Sequence, residues 1–269
     1  MEHVMEFLAE ASVNWFMFPI SILVAMIATG SGFGGGIIFL PIFIYVLGMT
    51  VPESVGTGMV TELVGMSSAL VGYVRQRQIE FGMAFPMIML TIPGVIIGLH
   101  LAMVTNEAIL KVFFGLVVMG CAAWTYISMV KKKYGNREGL GTEEVYPFAW
   151  VPFLGGLSSG LSSVGTAETI FPVLERVYKL NVHRAVATTV MVEAIAGYVA
   201  TSINIWEGQI RWDVAIFTMT GVLCGGQLGP LLNKFAPEAV LKILFSVFVL
   251  LTGAKMIFDN LGIVIDLMY

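Results

Sequence analysis

The chain has 269 residues, of which 57% are hydrophobic and 12% charged, and its mean hydropathy is +0.88. Soluble domains carry about 25% charged residues, so the composition excludes an ordinary soluble protein and indicates a polytopic membrane protein. The net charge of −4 decides little, because sidedness matters more than the sum in a membrane.

The extreme N-terminus carries Glu2, Glu6 and Glu10 where a secretory signal would be basic, so none is expected. Five apolar segments follow, at about 13–29, 34–49, 54–74, 81–104 and 107–130. The polar stretch 131–146, KKKYGNREGLGTEEVY, reads as a linker on the cytoplasmic side. Five more segments follow at about 147–163, 167–180, 184–206, 212–233 and 237–258. The two halves, 1–130 and 147–269, are one sequence repeated. At an offset of 131 residues Ser31 falls on Ser162, Pro41 on Pro172, Thr57 on Thr188, Glu62 on Glu193 and Gln78 on Gln209. Apolar matches are cheap in this composition, whereas matched Glu, Gln and Pro are not. Internal repeats in a membrane protein point to a transporter whose site lies at the repeat interface.

In each half the first two segments are short and are separated by glycine or small polar residues. As one helix, residues 13–49 would extend roughly 55 Å at 1.5 Å per residue, too long for one crossing. A hairpin of two short arms, re-entrant or spanning, fits better. A hairpin plus three helices makes the second half inverted relative to the first. The distribution of lysine and arginine agrees: this topology places 11 inside and 3 outside, against 8 and 6 for one broken span per half. The expected fold is therefore an all-α polytopic membrane protein of two inverted repeats, each a short-helix hairpin plus three transmembrane helices. Both termini lie outside a plasma (inner) membrane.

The first hairpin tip reads TGSGFGGGIIFLP. Unwound backbone inside a bilayer is tolerated where protein or a watery cavity satisfies it. A helix N-terminus offers free N–H groups and a partial positive charge, and glycine lets a ligand come close. Ser31, Gly32, Phe33, Gly34, Gly35 and Gly36 are thus candidate contacts for an anion, the alternative being small-residue helix packing. The second tip, SSGLSSVGTAETIFP, offers Ser163, Gly165 and Thr166. Glu168 there reads either as a cap of the following helix or as a titrating group at the site. Glu62 and Glu193 lie about eight residues into apolar helices. Ionisable groups at such depth are functional by default, and proton coupling is the expectation, with an interhelical hydrogen bond as the alternative. Thr57 and Thr188 share a face with them and either line the cavity or bond their own backbone. Cys121 and Cys224 read as packing residues. His3, His100 and His183 receive no role. No nucleophile–base pair or metal-ligand spacing is legible, so neither an enzyme nor a cofactor is expected, and the basic residues follow a membrane face rather than a nucleic-acid surface.

GSGFGGGIIFLPIF followed by VPESVGTGMVTELVG resembles the first repeat of the sulfite exporter TauE/SafE family of bacterial permeases. GGLSSGLSSVGTAETIFPVLERVYKLNVHRAVATT resembles its second tip and the helix after it. The likeness covers about residues 13–259. It implies proton-coupled export of small sulfur-containing or organic anions such as sulfite or sulfonates, with the tip residues Ser31 to Gly36 and Ser163 to Glu168 as substrate contacts. The second tip departs from the family, where a run of glycines is common and Gly-Thr-Ala-Glu stands here. A cation transporter or channel using Glu62, Glu193 and Glu168 as ligands is the competing reading.

Overall fold

A computed structural model describes residues 12–31, 34–130, 141–235 and 238–268. Glu2, His3, Glu6, Glu10, Gly32, Phe33 and the first ten residues of the linker lie outside that range. Ten α-helices run through the described residues: α1 (Met17–Ser31), α2 (Gly36–Tyr45), α3 (Val51–Arg75), α4 (Phe81–Val104), α5 (Glu107–Val130), α6 (Trp150–Ser162), α7 (Thr166–Arg176), α8 (Val182–Trp206), α9 (Trp212–Phe235) and α10 (Glu238–Met268). The protein is all-helical, and the described residues contain no strand. Among them α3, α4 and residues 183–206 of α8 are long and apolar enough to cross a membrane, while Met17–Ala28 and Gly36–Tyr45 are shorter apolar helices.

The sequence offset reappears in the helix boundaries. Adding 131 to the ends of α3 and α4 gives the ends of α8 and α9 to the residue. The turns repeat too. Gly48 and Lys179, 131 apart, both have positive φ, as do Arg77 and Gly208. Each pair places glycine once where left-handed backbone is free of penalty and a basic side chain once where it is not. The same backbone path is therefore built in both halves although only one of them carries the ideal residue.

Packing exchanges partners between the halves. α4 lies on α6 and α9 on α1; α3 pairs with α8 and α5 with α10. Glycine permits these approaches. A Cβ on Gly94 would collide with the Phe153 carbonyl of α6, and one on Gly225 with the Ile22 carbonyl of α1. These are the same contact with the halves swapped, since Gly94 and Ile22 plus 131 give Gly225 and Phe153. The equivalent helices α3 and α8 run antiparallel. Met59 meets Asn204 (Nδ2–Sδ 3.4 Å) near one end, and Ser67 meets Tyr198 (3.2 Å) further along.

The last part of the linker is not free chain. Its 3₁₀ turn Thr142–Glu144 lies against α4, and a second such turn, Tyr146–Phe148, follows. The Thr142 hydroxyl donates to the Gly82 carbonyl (3.1 Å), and Val145 is buried with Met83, Met87 and Leu174.

Candidate functional site

The two tips meet. α1 ends at Ser31, and α2 begins at Gly36 with Gly34 to Gly36 buried. α6 ends at Ser162, and Ser163 then takes left-handed backbone (φ 57) that only a tight reversal requires. Gly165 follows at φ 146, and α7 starts at Thr166. The serines ahead of this turn pin it: the Ser158 and Ser162 hydroxyls both donate to the Val164 carbonyl (2.8 and 3.2 Å). A Cβ on Gly36 would stand 2.6 Å from the Ser163 carbonyl, so glycine there is what lets one tip touch the other.

Three N–H groups of these tips are occupied by the protein's own carboxylates. Glu62 Oε1, from α3, accepts from Gly36 N–H at 2.9 Å. Glu168 uses both oxygens: Oε2 accepts from Gly165 N–H at 2.9 Å, and Oε1 from Gly34 N–H at 3.2 Å. Glu168 thus caps its own helix and also ties the second tip to the first. Glu193, from α8, closes the cluster. A Cβ on Gly34 would lie 2.6 Å from Glu62 Oε1, 3.1 Å from Glu168 Oε1 and 3.4 Å from Glu193 Oε1. Three carboxyl groups from three helices therefore converge on one glycine. Any side chain at position 34 would displace them. Among the described residues no group of three or more His, Cys, Asp or Glu is arranged to hold a metal ion.

A pocket opens beside the cluster between α3 and α8. Glu62, Glu193, Ser159 and Thr166 form its polar lining, and Met59, Leu63, Met66, Val95, Ala196 and Ala200 most of the rest. Thr166 is 1% exposed. Its Oγ1, like Glu193 Oε2 and Ser163 Oγ, is buried without a hydrogen-bond partner.

Of the residues singled out from sequence, Gly34, Gly35, Gly36, Ser163, Gly165, Thr166, Glu62, Glu168 and Glu193 come together here. The Ser31 side chain, Gly32 and Phe33 lie outside the described parts. Thr57 and Thr188 are placed elsewhere: both are fully buried and hold backbone of the opposite half. Thr57 Oγ1 accepts from Arg211 N–H, and Thr188 Oγ1 from Glu80 N–H, each at 3.0 Å. These are again one contact repeated at the offset of 131. Sequence reasoning missed Ser159 and the apolar wall. Helical spacing from each glutamate would have found much of it: 59, 62, 63 and 66 share a face of α3, and 193, 196, 197 and 200 a face of α8.

Residues 17–256 match the family described as Sulfite exporter TauE/SafE. The chain belongs to that family. It is similar to a "Probable membrane transporter protein ORF9" of Sinorhizobium sp, 22% identical over 247 residues covering 89% of each chain. It is also similar to a "Probable membrane transporter protein" of Xylella fastidiosa strain 9a5c (21% identity; 85% of this chain, 89% of that one). A protein of the same description from Haemophilus influenzae strain KW20 is 20% identical, over 84% of this chain and 88% of its own. No solved structure matches. With its apolar helices, this membership makes the protein a membrane transporter.

Proposed function

We propose that the protein is a secondary transporter that exports small sulfur-containing or organic anions, such as sulfite or sulfonates, with proton coupling and with its site where the two tips meet. The observation that carries this reading is the pair of tips whose N–H groups already hold carboxylates, Glu62 on Gly36 and Glu168 on Gly34 and Gly165. Oriented N–H groups that bind a side-chain carboxylate will bind a substrate oxyanion by the same physics. The family's description names sulfite export and supports the substrate class. In this proposal the halves are inverted repeats in the plasma membrane with both termini outside. The antiparallel packing of α3 on α8 supports the inversion.

The glutamates then compete with the substrate. An anion gains the tip N–H groups only when a carboxylate leaves them, and protonation is what releases a carboxylate. Anion and proton are therefore taken up together and travel in the same direction. A divalent anion leaving with one proton still carries a net negative charge, and an inside-negative potential favours its exit by about 2.3 kcal/mol per charge per 100 mV.

The test is flux of labelled sulfite and of methanesulfonate, whose charge does not change near neutral pH, from proteoliposomes with and without a pH gradient. Efflux should rise when the substrate's own side is acidified. Saturable transport of neither anion would sink the proposal. The convergence of three carboxyl groups on Gly34 favours a second reading, a cation transporter, and cation flux lost in Glu62→Gln without any anion flux would establish it instead.

A further inference from the structure

The pocket beside the tips is lined by carboxyl groups and by hydroxyls that can donate as well as accept. Glu193 Oε2 and Thr166 Oγ1 face no partner, Glu62 and Ser159 add two more oxygen-bearing groups, and none of the residues lining it is basic. The nearest backbone donors, at Gly34, Gly36 and Gly165, are already bonded to Glu62 and Glu168. A simple oxyanion would satisfy those N–H groups once the carboxylates moved. It would leave an ionised Glu193 beside a like charge, an arrangement that is costly unless a proton or a cationic group neutralises it.

A ligand with donors at its other end removes the conflict. A primary ammonium carries three donors and no acceptor. Glu193, Glu62 and Thr166, from three different helices, line the pocket and can each accept. Oε1 of Glu193 comes within 3.4 Å of the point where a Gly34 side chain would begin, so donor and acceptor ends of the site lie within the length of a molecule of a few bonds. Met59, Leu63 and Met66 line the same pocket and offer apolar surface to methylene groups.

We infer that this site takes a zwitterion: the substrate is a short aminated sulfonate or similar amino acid-like anion, with its ammonium group on Glu193 and its oxyanion on the tip N–H groups. The inference deepens the proposed anion transport and rests on it. Glu193 becomes a specificity-determining residue, and Thr166 the hydroxyl that shares the ammonium.

Purified protein in proteoliposomes tests it with two probes of equal length, 3-aminopropane-1-sulfonate and propane-1-sulfonate. Wild-type protein should carry the aminated probe with a KM at least about tenfold lower, and Glu193→Gln should collapse that ratio toward one. A wild-type ratio near one overturns the zwitterion assignment while leaving anion transport standing, and it needs no variant to fold. A tenfold ratio that persists unchanged in Glu193→Gln, with the variant monodisperse, overturns the role of Glu193. Transport of neither probe overturns this inference together with the reading beneath it.

Discussion

Removing the Glu168 carboxylate should uncouple the two tips. In Glu168→Ala two buried N–H groups, of Gly165 and Gly34, lose acceptors at 2.9 and 3.2 Å. Each stranded donor costs about 1–3 kcal/mol, so the loss is about 2–6 kcal/mol if nothing replaces the carboxylate. That is a large share of the ordinary stability of a folded domain, about 5–15 kcal/mol. Glu168→Gln keeps one acceptor oxygen but turns an amide N–H₂ toward the other N–H, so it should lose about half as much. Thermal unfolding in detergent should therefore rank wild type above Gln and Gln above Ala. The same measurement reads the anion site. In Glu168→Ala the freed N–H groups should bind added sulfite or sulfonate, so these anions should raise the variant's unfolding temperature more than the wild type's. If Glu168→Ala unfolds within about half a kcal/mol of wild type, or gains nothing from added anions, the carboxylate is not what occupies the tips.

The helix crossings give a sharper packing test. A Cβ on Gly98 would collide with the Leu157 carbonyl and lie 2.9 Å from Gly160 Cα, whereas one on Gly226 meets nothing within 4 Å. Gly98→Ala should thus destabilise by about 1–3 kcal/mol and Gly226→Ala should be neutral, as measured by thermal unfolding. Thr57→Ala and Thr188→Ala each strand one backbone N–H, of Arg211 and Glu80. Equal losses of about 1–3 kcal/mol are expected from both in the same assay, with Thr→Ser largely sparing each. Glu62→Gln cannot cycle between charged and neutral forms, so methanesulfonate flux through it should rise less steeply with acidification of the substrate's side, Glu168 alone still titrating. A wild-type pH profile in that variant would remove Glu62 from the coupling path.

The two tips were legible in the sequence because glycine and small polar residues interrupt apolar runs at matched positions. Their different capping was legible only in part. Glu168 three residues after Gly165 is the spacing at which a carboxylate reaches back to a helix start, and it does so. Its second bond, to Gly34 across 134 residues, has no local signature. Thr57 and Thr188 show the converse. Their spacing to the glutamates suggested a shared cavity, yet each accepts from a backbone N–H just ahead of a helix of the opposite half, a contact with no local signature.

By itself the sequence determined the helices, their order and their duplication. Apolar length, glycine, proline and the position of charge act within a few residues, and an offset of 131 survives in side chains that random apolar matching would not repeat. Only the tertiary structure decided that Glu62, Glu168 and Glu193 converge on Gly34. A free N–H at a helix start accepts any carboxylate within reach. Which carboxylate that is depends on how α3, α7 and α8 pack around the tip, and no local pattern in the chain encodes that distance.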